Sequence, residues 1–422
     1  MNRVIFHVDV NSAFLSWEAV YRLKHLGGTK DLREMVSAVG GDIAMRHGII
    51  LAKSIPAKKY GIQTGESIME AKQKCPELIL VPPNYGLYEK SSAAFMDILR
   101  QYTPDVEQYS IDEAFMDMSG TEMLWGKPAD AANRIRERIR NELGFTVNIG
   151  VSTNKLLAKM ASDFKKPDLV HTLFPEEIPQ KMWPLPVSEL FFVGRATTKK
   201  LFHLGIHYIG ELASSDPNIL RMHLKKHGEV IWAFANGLDM SVVQSTPPAN
   251  KGYGNSTTIP FDVTDAGTAK LVLLALAETV SARLRKDSVK AEVIAIGIKN
   301  YNFNYASHQR VLFSPTDVTK EIHGIAGELF DELWDGTPIR HLGIHTSRIK
   351  NFDFTRQLNM FDTEDYEKLR YADLMADTIR GKYGIDSLKR AVFLKNPIDH
   401  MSGGISREKR TVDYDSIKID NY

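Results

Sequence analysis

Gln108-Tyr109-Ser110-Ile111-Asp112-Glu113-Ala114-Phe115-Met116-Asp117 is rich in β-branched and aromatic residues and carries two adjacent carboxylates at its centre. It lacks the 3.6-residue periodicity of a surface helix and reads as strand. Near the N-terminus, Val4-Ile5-Phe6-His7-Val8-Asp9-Val10 repeats the pattern with a single carboxylate. A carboxylate in such a run is costly to bury unless it is paired or binds a cation. If the two strands are neighbours in one sheet, Asp9, Asp112 and Glu113 bring hard oxygen ligands to one spot, which suits Mg²⁺ and especially a pair of Mg²⁺ ions. That arrangement fits phosphoryl transfer.

The chain has 422 residues, more than one hydrophobic core usually supports, so several compact units are expected. A hydrophobic share of 43% and a charged share of 25% are ordinary for a soluble protein, and no run approaches a membrane span. No secretory signal is read at the N-terminus. The single cysteine, Cys75, rules out an intramolecular disulfide and points to a cytoplasmic protein. Net charge is only +1, so a nucleic-acid partner is not written in the total. Basic residues do cluster locally, at Lys58-Lys59, Lys165-Lys166, Lys199-Lys200, Lys225-Lys226 and Arg283 to Lys286.

Outward from the acidic runs, the first 170 or so residues alternate strand and helix signals, which implies a sheet with helices packed on it. Within them a smaller unit is expected, with a helix from about Asp31, a strand at 48–52 and a short helix from Ser67 to Cys75. From about 175 to 239 only helical signals appear. There Gly194-Arg195-Ala196-Thr197-Thr198-Lys199-Lys200 opens one short helix and Ile209-Gly210-Glu211-Leu212 another. Such starts leave backbone N–H groups free to hold a phosphate. The unit reads as a helix-hairpin-helix DNA clamp, with an ordinary helical hairpin as the alternative. Beyond a Pro- and Gly-containing linker, strand, helix, two strands, helix and strand follow in the split βαβ order.

Val8-Asp9-Val10-Asn11-Ser12-Ala13-Phe14, Ala57-Lys58-Lys59-Tyr60-Gly61, Ser110 to Phe115, Gly150-Val151-Ser152-Thr153-Asn154-Lys155 and Lys166-Pro167 together resemble the Y-family translesion DNA polymerases, in order and in spacing. The resemblance is to the bacterial DNA polymerase IV type. It implies an α+β multidomain protein, a right-hand polymerase with palm (1–10 and 84–173), small fingers (11–83), helical helix-hairpin-helix thumb (174–240), linker (241–250), split βαβ little finger (251–350) and a tail (351–422).

The resemblance further implies that Asp9, Asp112 and Glu113, with the Val10 carbonyl, hold two Mg²⁺ ions for template-directed nucleotidyl transfer. Phe14 corresponds to the steric gate against ribose, with core packing as its alternative. Lys58, Lys166 and the backbone of Asn11, Ser12, Ala13 and Phe14 would meet the incoming deoxynucleoside triphosphate. Gly194, Arg195, Thr197 and Lys199 would meet the backbone of primer-template DNA. Departures from the family pattern are Ile55 and Lys58, where many relatives carry Tyr and Arg, and Asp168-Leu169 after Pro167. Lys lacks the bidentate fork of Arg. Gln357, Leu358, Met360 and Phe361 form a short pattern like the peptides that dock on the bacterial sliding clamp, with packing on their own domain as the alternative. The implied protein is a monomer without a membrane partner. Two rivals stay open: a catalytically silent DNA-binding scaffold recruited to the clamp, and a nucleotide cyclase with a similar sheet.

Overall fold

The computed structural model describes residues 3–41, 46, 48–351, 365–401 and 403. The acidic N-terminal run forms β1 (Ile5–Val10), followed by α1 (Ala13–His25). The helix expected from Asp31 is instead a turn: the Asp31 carboxylate accepts the Arg33 N–H and pairs with its guanidinium, satisfying the chain locally. The buried strand β2 (Ser37–Gly40) follows, then β3 (Ile50–Lys53). A short helix unforeseen from sequence, α2 (Ile55–Lys59), starts where Ser54 caps the Ala57 N–H and Pro56 fits the first turn. α3 (Ile68–Lys74) carries the Ser67–Glu70 capping box, and β4 (Ile79–Val81) completes a three-stranded sheet in the order β3-β2-β4.

The chain then returns through α4 (Tyr85–Arg100), β5 (Val106–Gln108), β6 (Glu113–Asp117), α5 (Glu122–Trp125), α6 (Pro128–Leu143), β7 (Val147–Ser152), α7 (Lys155–Asp163) and β8 (Val170–Thr172). These strands join β1 in a sheet ordered β5-β6-β1-β7-β8. Period two along β1 separates its faces. Val4, Phe6, Val8 and Val10 enter the core beneath α1, α4 and α6. Ile5 packs with Phe115 and Ala158 on the opposite face, where α7 lies. Gly150 permits that close approach, since a Cβ there would sit 1.9 Å from the Ala158 carbonyl oxygen. The other side of α7, with Leu156, Leu157 and Met160, belongs to the core of the helical unit that follows.

That unit comprises α8 (Ile178–Lys181), α9 (Arg195–His203), α10 (Ile209–Ala213), α11 (Pro217–Leu224) and α12 (Lys226–Ala235). α9 and α10 form the expected hairpin around Gly205, at φ +77°, with Leu201, Ile209 and Leu212 buried. The last unit holds β9 (Gly252–Val263), α13 (Ala266–Lys286), β10 (Val289–Asn300), β11 (Tyr305–Thr316), α14 (Thr319–Leu333) and β12 (Ile339–Asn351). Its antiparallel sheet runs β11-β10-β12-β9, so β12 splits the β9-α13-β10 unit as expected. Ile294, Ile296, Leu342 and Ile344 face α13 and α14. By alternation the open face presents Gly254, Ser256, Ala295, Gly297, Gly343 and His345, a flat row of small and polar residues.

The expected tail is corrected in one respect. α15 (Tyr366–Tyr383) and the segment to residue 401 fold back on this unit, with Phe393 and Ile398 in its core. Arg285 of α13 pairs with Asp373 and Asp377, Arg370 with Asp317, and Glu278 with Arg380 and Arg390. Residues 357–361, the clamp-peptide pattern, lie outside the described residues. Among the described residues, no helix is long and apolar enough to cross a membrane.

Candidate active site

Register builds the site. Asp9 pairs directly with Glu113 across β1 and β6, so both side chains leave the same face of the sheet, the one that α7 lies on. The Val10 N–H donates to the Asp112 carbonyl at 3.0 Å, fastening the end of β1 to the bend just before β6. Asp112 sits in that bend and not in the strand. Ser110 shapes it: its hydroxyl donates to Asp112 Oδ1 at 2.6 Å and accepts the backbone N–H groups of Asp112 and Glu113. Asp9 and Glu113 thereby face each other across the sheet, and the Asp112 backbone is tied to the end of β1.

The two opposed carboxylates have different surroundings. Burial pushes Asp9 up to about 6, although Lys166 Nζ donates to Asp9 Oδ2 at 2.6 Å. Burial would raise Glu113 as well, but His7 at 3.8 Å and Lys159 at 2.9 Å outweigh it and hold Glu113 down to about 2. His7 is itself fully buried, which lowers its pKa. Its Nδ1 lies 2.8 Å from Ser162 Oγ on α7, and Ser162 donates to the Lys159 carbonyl. Lys159 is enclosed by the rings of Tyr109 and Phe191. His7, Ser110 and Lys159 were not singled out from sequence. The one available signal was Lys155, Lys159, Asp163 and Lys166 recurring at helical spacing down one face of α7 and just beyond it.

The remaining predicted residues divide. Lys166 reaches the carboxylates, but as a partner of Asp9 and Asp163. The Asn11 N–H is bonded to the Thr146 carbonyl at 3.0 Å. Ser12 turns with φ 48° into α1, and the N–H groups of Ala13 and Phe14 fall in the first turn, where no intrahelical acceptor exists. Phe14 is half-buried and stacks on Tyr88, with ring centroids 4.5 Å apart and 8° between planes. Packing thus anchors the ring without hiding it. Lys58 lies exposed on α2, and no contact joins it to the carboxylates among the described residues. Gly194 opens α9 with open space where its Cβ would be, Arg195 and Lys199 are exposed, and Thr197 approaches His227 at 3.4 Å.

Comparison with known proteins agrees with this layout. Residues 8–163 match the impB/mucB/samB family, residues 175–206 the HHH motif of that family and residues 250–360 its C-terminal domain. A DNA polymerase IV of Clostridium acetobutylicum is 45% identical over 395 residues, covering 94% of this chain and 99% of the relative. DNA polymerase IV 1 of Bacillus subtilis is 36% identical over 93% of this chain and 94% of its own length. A solved Y-family DNA polymerase chimera of Dbh and Dpo4 shares the fold, with a TM-score of 0.70 at 22% identity, covering 82% of this chain and 99% of that one.

The fold and these relatives define a DNA-directed DNA polymerase of the Y-family translesion class. Within that class, the chain belongs to the impB/mucB/samB family, and the two relatives above carry the name DNA polymerase IV.

Proposed function

We propose that Asp9, Asp112 and Glu113, with the Val10 carbonyl, hold two Mg²⁺ ions with which the protein adds deoxynucleotides to a primer 3′ end. The observation that supports this is the Asp9–Glu113 register together with the Val10–Asp112 backbone bond, which brings the Asp112 backbone to the end of β1 beside that pair. The donor set fits: it consists of hard oxygens, which suit Mg²⁺. When bound, such ions supply charge to the attacking and leaving oxygens of an in-line displacement. The chain's own groups do the rest. The first-turn N–H groups of α1 and Lys166 would receive the triphosphate. Phe14, fixed by Tyr88, would stand against a ribose 2′-hydroxyl. The hairpin at Gly194, Arg195, Thr197 and Lys199 and the flat face of the last sheet would contact DNA phosphates without reading sequence.

Recruitment to the sliding clamp through Gln357, Leu358, Met360 and Phe361, and action as a cytoplasmic monomer, complete the reading. The test is extension of a labelled primer with Mg²⁺ and deoxynucleotides. Asp9→Ala and Glu113→Ala should each lose activity by orders of magnitude. Wild-type protein that binds DNA but extends nothing would favour the silent scaffold instead.

A further inference from the structure

The positive charges at the site are held unequally. Lys159 is almost fully buried, boxed by Tyr109 and Phe191, and fixed on Glu113 Oε1 at 2.9 Å. Lys166 reaches Asp9 Oδ2 at 2.6 Å from the solvent side, its side chain 36% exposed against 11% for that of Asp9. It also has a second carboxylate to fall back on, Asp163 Oδ1 at 2.8 Å, which is itself half exposed. An ammonium therefore lies on Asp9 Oδ2, one of the oxygens proposed above to hold a divalent cation. The two cannot share Asp9 Oδ2, because like charges at contact repel strongly where water is scarce.

We propose that Lys166 is a resident counter-cation of Asp9 which the divalent ion displaces, and that this displacement delivers the lysine to the triphosphate. Metal and nucleotide binding are then coupled through one side chain, beyond any direct bridge between them. Lys166 leaves because it is exposed and keeps Asp163; Lys159 stays because its surroundings leave it no other position. The inference rests on the metal-site reading above, and the test separates the two.

Mn²⁺ binding to the full-length protein is measured without DNA, alone and with dATP, by the loss of the free-ion paramagnetic resonance signal. Lys166→Met should bind Mn²⁺ about tenfold more tightly than wild type in the absence of nucleotide, a size usual for coupled sites. Its further gain on adding dATP should be smaller than the wild-type gain. Lys166→Arg, which keeps the charge, should behave as wild type. Unchanged or weaker Mn²⁺ binding by Lys166→Met would overturn the counter-cation role. Mn²⁺ binding that survives in both Asp9→Asn and Glu113→Gln would instead overturn the metal-site reading on which it rests.

Discussion

Asp9 and Glu113 face each other across one rung of the palm sheet, yet their surroundings push their protons in opposite directions. Asp9 binds its proton more tightly folded than unfolded, so its contribution to stability is full below pH 3.8 and is lost as pH rises through about 6. Glu113 is the reverse: its contribution is full above pH 4.5 and is lost as pH falls toward about 2. In metal-free protein, Asp9→Asn should therefore gain stability over wild type between about pH 4 and 6, by about 3 kcal/mol at most. Glu113→Gln should flatten the decline below pH 4.5. Denaturant midpoints across that range check both signs. Phe14→Ala removes a ring that Tyr88 holds in place, and should raise ribonucleotide incorporation relative to deoxyribonucleotide by about tenfold or more, read by single-nucleotide insertion. Asp9 and Glu113 stood out in the sequence because a charge in an apolar strand demands an explanation; Asp112, read there as a strand carboxylate, lies in the bend before β6. His7 and Lys159 were not, because their role exists only once α7 is laid on the sheet against Gly150, a tertiary fact that local pattern does not carry.

At the scale of elements, α15 shows why the chain after residue 351 looked like a loose tail. Its inward face carries Asp373, Asp377, Arg370 and Arg380, while Tyr371, Met375, Ile379 and Tyr383 form a stripe at i, i+4 spacing on the solvent side. A reader of amphipathic pattern would bury the wrong face. Arg285 is the hub, bonded to Asp373, Asp377 and the Asp317 carbonyl with its side chain 3% exposed. Arg285→Ala removes the buried cation those carboxylates share and should cost about 3 kcal/mol, visible as a lower thermal midpoint. By contrast, the hairpin of α9 and α10 and the order of elements in the last unit were readable, because glycine punctuation and period-two strands are local signals. The turn at Asp31 was misread as a helix for the same reason α15 was missed: the deciding bonds belong to particular side chains and not to periodicity.

On the scale of the whole molecule, α7 joins two bodies: Ala158 lies against the palm sheet and Leu157 and Met160 lie in the thumb core. The carboxylates are thus seated where two units meet, and the net charge of +1 conceals local basic faces on the hairpin unit. α15 brings a different consequence. β12 ends at Asn351 and α15 begins at Tyr366, and both are held on the same body. Severing the chain between them, at an inserted protease site, should yield a two-fragment protein that still elutes as one particle. The pieces should part only in denaturant, and the C-terminal fragment, supplied separately, should restore the thermal midpoint of a chain that stops at 364.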